Sequence, residues 1–425
     1  MQYPRKTLEL IQKEYNFIRI DELEKVVRLM DILKMINEDK YLFNTLVLKG
    51  GTAINLLWLK LPRLSVDIDL NYIGEVSTER MLEQKKKVQA KLKAIFRRLG
   101  YTVISRNENR HAGCNYDLSF INSNSGKSKI KVDISFMHRT PIYGVVEKTP
   151  LLEISDNNTP VNIKTLSLNE LFASKLKALC QRGTPRDYFD VYMLSSYKEL
   201  DLSLVKKAFI FFATIDIDNF NNYKLSNIPE VTQSEIDREL LPMLKKNNPL
   251  DIKEMLDATK PILNGLFKFT KEEKEFISIF YKKNALIPEL LFQNKDFDFL
   301  KDYPLANWKL KKLVMNESKI EVTLDKIIPN GDRHEYHYLF KALNATGRKT
   351  GRVEIYIANL ILQGRINWIN APDDFSQFIL DCAYKIAEKN IANNNFEICK
   401  CNLTNEILGN EGWITPEDIL YTLNQ

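Results

Sequence analysis

The chain has 425 residues, 44% of them hydrophobic and 27% charged. That composition excludes collagen, a long coiled coil and wholesale disorder, and the length suggests two or three domains. Lys plus Arg is 61 against 55 for Asp plus Glu, a net charge of +6, which means little unless it is concentrated in one place.

Near the N-terminus, Glu9, Lys13 and Glu14 interrupt any apolar run, so no signal peptide is expected. The longest apolar run, residues 208–215, falls short of the roughly 20 residues a membrane span needs. Five scattered cysteines, Cys399-x-Cys401 among them without a second pair, read as reduced thiols of a cytoplasmic protein.

Residues 7–44 carry helical periodicity through Leu23, Val27, Leu29, Ile32, Leu33 and Ile36. Leu46-Val47-Leu48 reads as a strand running into Gly50-Gly51-Thr52, and residues 53–60 as a helix ended by Pro62. A strand is expected at 64–73, a long amphipathic helix at 78–99, and strands at 101–105, 116–121 and 129–136. Helices at 169–180 and 186–197 open a mostly helical stretch reaching about residue 312. Strand-like runs return at 320–327 and 352–369, followed by a helix at 374–391. The expected fold is an α/β (α+β) domain with a mixed sheet over 1–165, a helical domain over 166–315 and a small α+β module over 316–425.

The pattern D-x-D occurs at Asp67/Asp69, Asp216/Asp218 and Asp296/Asp298. On a strand this spacing puts both carboxylates on one face, Cα atoms about 6.6 Å apart, suited to one divalent metal or a pair. Only the first copy follows a phosphate-cradle candidate. Gly50 and Gly51 permit close backbone approach, a helix N-terminus offers unpaired N–H groups, and Thr52 adds a hydroxyl. Arg63 and Ser65 precede the acidic strand. The other two copies read as solvated surface acids, which is also the bland alternative for Asp67 and Asp69.

Asp133, embedded between Val132 and Ile134 on an alternating strand, is costly there unless paired or metal-bound. Three carboxylates from two neighbouring strands suit two-metal phosphoryl transfer, with Asp133 placed to accept the proton of an attacking hydroxyl. Further on, Lys175 lies at the border of a buried helical stripe. Either it reaches a cleft to hold phosphate charge or it is an ordinary solvated lysine. Arg186, Asp187 and Asp190 fall within one turn. Either they form an ion-pair network orienting Lys175, or they are the usual acids of a helix N-terminus.

Taken in order, Lys49-Gly50-Gly51-Thr52-Ala53, Arg63-x-Ser65-x-Asp67-x-Asp69-Leu70, Glu170-Leu171-x-Ala173-x-Lys175-x-x-Ala178-Leu179 and Arg186-Asp187-x-x-Asp190 resemble the AbiEii/AbiGii nucleotidyltransferase toxins. These belong to the polymerase-β-like nucleotidyltransferase superfamily. The resemblance runs to about Trp308-Lys309; the residues beyond it resemble no family. It implies a toxin of a bacterial toxin–antitoxin or abortive phage-infection system, with a cognate antitoxin encoded nearby. The implied reaction uses an NTP and Mg²⁺ (or Mn²⁺) and has a tRNA 3′ end or other RNA as acceptor. Alternatives are nucleotidylation of a protein or small molecule, or a non-catalytic nucleotide-binding module. On the resemblance, Asp67, Asp69, Lys175 and Asp190 are catalytic, with Asp67 and Asp69 as metal ligands; Asp133 joins them as the third catalytic carboxylate and metal ligand from its strand context alone. Gly50, Gly51, Thr52, Arg63, Ser65, Lys175 and Asp187 hold the nucleotide.

The helix at 78–98 carries eight cations against Glu79 and Glu83, an excess equal to that of the whole chain. Its Lys86, Lys87, Lys91 and Arg97 are expected to wall the catalytic cleft and attract RNA phosphates, although a solvated face is the commoner meaning of such a run. His334-x-x-His337 has helical metal-ligand spacing without further ligands, and His111 and His138 stand alone.

Overall fold

The computed structural model describes residues 3–106, 112–151, 162–246 and 250–316. It also describes strands within 319–368 and at 401–403, with side chains described as far as residue 310. The chain forms two compact units, Met1–Asn307 and Trp308–Gln425.

Among the described residues, the first unit is built on a seven-stranded mixed sheet. Its strands are β1 (Leu46–Lys49), β2 (Ile68–Tyr72), β3 (Thr102–Arg106), β4 (Gly113–Ile121), β5 (Lys127–Ser135), β6 (Val145–Lys148) and β7 (Ile163–Leu166). They lie in the order β3-β4-β5-β2-β1-β7-β6. The β2–β5 and β1–β7 pairs are parallel and the rest antiparallel. The described helices of this unit begin with α1 (Arg5–Tyr15), α2 (Ile20–Glu38), α3 (Lys40–Thr45), α4 (Gly50–Leu57) and α5 (Thr78–Arg98). After the sheet come α6 (Leu168–Arg182), α7 (Pro185–Ser195), α8 (Leu202–Asp216), α9 (Gln233–Glu239), α10 (Ile252–Leu266) and α11 (Lys271–Lys282). None of the described helices is long and apolar enough to cross a membrane.

Cross-strand partners share a face of the sheet, and here the faces differ sharply. Ile68, Leu70, Tyr72, Tyr116, Val132 and Ile134 are buried beneath α5 and α2. From α5, Phe96 packs edge-on against Tyr116 and Gln84 accepts from the Tyr72 hydroxyl at 2.7 Å. From α2, Arg28 stacks over Phe120 at 4.1 Å. The other face carries Asp69 and Asp133.

Two caps place the elements that follow the sheet. Ser167 accepts from the Glu170 amide to start α6, and Gly183, at φ +57°, ends it in the left-handed conformation. The strand expected at 64–73 begins only at Ile68. Before it, Arg63 bridges to Leu244 and the Leu64 amide donates to the Met243 carbonyl at 2.8 Å, so this stretch is committed to the helical segment.

Helix α12 (Pro304–Asn316) runs from the end of the first unit into the second, an antiparallel sheet of β8 (Lys319–Asn330), β9 (Arg333–Asn344), β10 (Gly347–Ala358), β11 (Ile361–Trp368) and β12 (Cys401–Leu403). His334 and His337 therefore fall on a strand, where helical i, i+3 spacing has no meaning. The expected helix at 374–391 lies outside the described residues, as does His111.

Candidate active site

Four polar residues line up across four adjacent strands. Lys49 on β1 is the register partner of Asp69 on β2, Asp69 of Asp133 on β5, and Asp133 of Asn115 on β4. Asn115 Nδ2 donates to Asp133 Oδ1 at 2.6 Å. Burial raises the Asp69 carboxyl above its ordinary range; Lys49 opposes the shift, and nearby Asp133 and Asp67 add to it. Burial likewise lowers the Lys49 ammonium against the pull of Asp69. Like charges are crowded here, with one lysine set among them.

Strand β1 hands the chain to α4 at the glycine pair. Gly50 has φ +71°, and a Cβ there would stand 2.4 Å from Asp69 Oδ2. A Cβ on Gly51 would stand 2.8 Å from an Arg63 guanidinium nitrogen. Only glycine lets the backbone pass so close to the acids. Thr52 donates to the Asp67 carbonyl and lies 3.0 Å from Ser65 Oγ. Those contacts fix the first turn of α4, with its unpaired N–H groups, beside the acidic strand.

A buried charge cluster sits behind that turn. Arg63 grips Asp190 with two nitrogens, at 2.8 and 2.7 Å, and Asn55 Nδ2 adds a third donor at 3.1 Å. Lys175 Nζ lies 3.0 Å from Asp187 and 2.9 Å from Asp190. Arg182 and Thr184 complete the shell of Asp187. Burial alone would raise both aspartates. For Asp190, Arg63 and Lys175 prevail and hold the carboxyl below its usual range. For Asp187, Lys175 and Arg182 do the same. Three cations against two carboxylates leave one positive charge in excess. Of the sequence alternatives, Lys175 is buried rather than solvated, and Arg182, not Arg186, closes the network. Asp187 and Asp190 are wholly buried and paired with Lys175, Arg182 and Arg63.

Two expectations need correction. Asp216 is not a solvated acid, because it accepts from Lys177 Nζ at 2.6 Å and stands 3.5 Å from His138 Nε2. His138 does not stand alone either. Its Nδ1 is 2.8 Å from the Tyr303 hydroxyl, and burial pushes the ring down to about 4. Asp218, Asp296 and Asp298 are exposed, as read.

The basic helix does not wall this site. Through Phe96 and Gln84, α5 packs on the face opposite the Asp69–Asp133 row. Its amphipathic stripe showed which side of the helix is buried, but a stripe carries no information about which sheet face it covers. Lys91 pairs with Asp39 at 2.6 Å, and Lys87 lies 4.1 Å above the Tyr41 ring. Lys86 and Arg97 are exposed on that far side.

Sequence reasoning assigned no role to Lys49, Asn55, Asn115 or Arg182. Lys49 carried a signal, its place immediately before the glycine pair; the others become visible only through long-range pairing.

Asp67, Asp69 and Asp133 are hard oxygen donors whose crowding a divalent cation would relieve, so the donor chemistry fits such an ion. Among the described residues, no three His, Cys, Asp or Glu side chains are already gathered as a metal-binding group.

Residues 31–265 match the family described as nucleotidyl transferase AbiEii toxin, type IV TA system. Among solved structures, the chain is similar to MenT4, a nucleotidyltransferase toxin from Mycobacterium tuberculosis. The identity is 15% and the TM-score 0.49, over 70% of this chain and 98% of that one. No curated protein matches the chain.

Proposed function

The chain belongs to the AbiEii family of nucleotidyltransferase toxins of type IV toxin–antitoxin systems, and from that premise we propose that it moves a nucleoside monophosphate from an NTP to an acceptor hydroxyl. The observation that carries this reading is the register row Lys49–Asp69–Asp133 beside the glycine turn.

In this reading the triphosphate lies against the N–H groups of Gly51 and Thr52 at the start of α4. Gly50 lets the backbone approach, and the Thr52–Ser65 contact holds the turn in place. The surplus positive charge of the Arg63–Lys175–Arg182 cluster offsets phosphate charge; Arg63 and Lys175 also hold the turn through Asp190. Asp67, Asp69 and Asp133 would hold Mg²⁺ or Mn²⁺, which when bound neutralises phosphate charge and lowers the pKa of the attacking hydroxyl. Asp133, oriented by Asn115, accepts the proton of that hydroxyl as its oxygen bonds to the α-phosphorus and pyrophosphate leaves.

The acceptor we propose is a tRNA 3′ end. Capping it blocks aminoacylation and therefore translation, as befits a cytoplasmic toxin restrained by an antitoxin in defence against phage. The support is the family resemblance. Incubation with Mg²⁺, each labelled NTP, and total tRNA or protein extract tests it. Label on tRNA that vanishes in Asp67→Ala is the expected result. Label on protein or a small acceptor would replace the tRNA reading, and NTP binding without transfer would defeat the enzymatic one.

A further inference from the structure

The sheet face that carries the acids does not end at Asp133. Strand β5 reads Lys127-Ser-Lys129-Ile-Lys131-Val-Asp133, and alternation puts all three lysines on the face of Asp133. The intervening Ile130 and Val132 are buried on the opposite face. Across β4, Lys131 partners Asp117 and Asp133 partners Asn115, and Asn115 in turn partners Arg106 on β3. Lys127, Lys129, Lys131 and Arg106 are exposed. Among the described residues, Asp117 shares this face and is paired with Arg106 at 2.6 Å and Lys129 at 3.2 Å, while Asp133 ends the row. Ile104 and Ile121, 50% and 46% exposed, lie on the same face beside Arg106 and Lys127.

We propose that this face of β3–β5 is the track along which a single-stranded RNA lies, its 3′ end delivered to Asp133. The cations are spaced every second residue, about 6.6 Å apart, and follow a strand that runs straight into the acid row. A backbone bearing one charge per nucleotide complements that line. The isoleucines between the cations offer apolar contact to bases. Charged grooves that follow the backbone in this way bind single strands with strong salt dependence. The proposal rests on the nucleotidyl-transfer reading for what happens at the 3′ end, and on the exposed cations of β5 for where the strand lies. It puts the acceptor on the side of the sheet that α5 does not occupy.

The test uses the full chain, a short fluorescent single-stranded RNA and a salt titration of its affinity. In Lys127→Gln/Lys131→Gln the slope of log affinity against log salt should fall by about 1.4, roughly 0.7 for each lost phosphate contact. NTP binding should be unaltered. Lys86→Gln/Arg97→Gln, on the far face, should leave the slope alone. If thermal melts show the double variant unfolded, Lys131→Gln alone should lower the slope by about 0.7. An unchanged slope, an equal loss in the α5 variant, or a wild-type chain that binds no RNA overturns the track. RNA binding with no transfer would defeat the proposed activity and leave the track standing. Transfer to a protein by a chain that ignores RNA would do the reverse.

Discussion

Asp69 and Asp133 stand opposite one another in the parallel register of β2 and β5, two acids from distant parts of the chain on one face of the sheet. Directly opposed like charges destabilise a sheet. Asp133→Asn should therefore raise the melting temperature slightly without divalent metal, while abolishing transfer. Wild type should gain stability on adding Mg²⁺ and the variant should not; thermal melts with and without the ion measure both.

The glycine turn makes a second demand. Gly50→Ala forces a side chain into the space of Asp69 Oδ2 at a backbone angle that L-residues rarely adopt. Transfer should fall as severely as in Asp69→Ala, although the substitution removes no functional group. Kinetics that leave the alanine variant within twofold of wild type would show that the turn is not held against the acid.

Arg63 and Lys175 should separate stability from activity. Arg63→Ala leaves Asp190 buried without its two-point partner, at a cost of about 3–5 kcal/mol. Lys175→Ala leaves Asp190 with Arg63 and Asp187 with Arg182, so its loss of stability should be smaller and its loss of NTP use larger. Denaturant unfolding beside NTP-dependence of the rate distinguishes the two.

Glu170 links pH to folding. It is buried and accepts from the Ile142 and Tyr143 amides at 2.9 and 3.0 Å, and burial pushes it up to about 8 from an ordinary 4.5. Between those values the folded chain holds the extra proton. Its contribution is complete below pH 4.5 and is lost as pH rises through 8. Glu170→Gln should remove that decline: the difference in melting temperature between variant and wild type should widen in favour of the variant across this interval.

The extent of what could be read before the fold was known follows from the range of each interaction. Local spacing predicted α5, β5 and the strand–glycine–helix passage at Leu46 to Leu57, because periodicity and turn chemistry act over a few residues. Lys175, Asp187 and Asp190 are brought together by the α6–α7 turn, short enough for their spacing to suggest a network. Lys49, Asp69, Asp133 and Asn115 are aligned only by strand order, which no local pattern carries. The choice of sheet face for α5 is of the same kind: the helix packs on the face opposite the Asp69–Asp133 row. The β5 lysines were in plain view. Their meaning depends on which face of the sheet they share with Asp133.

The proposed function turns on metal-dependent nucleotidyl transfer at Asp67, Asp69 and Asp133. Its most direct test is Mg²⁺-dependent incorporation of labelled nucleotide from each NTP into total tRNA, wild type beside Asp69→Asn. Label should appear on the tRNA 3′ end with wild type and not with the variant or with chelator. Equal labelling by both chains would contradict it.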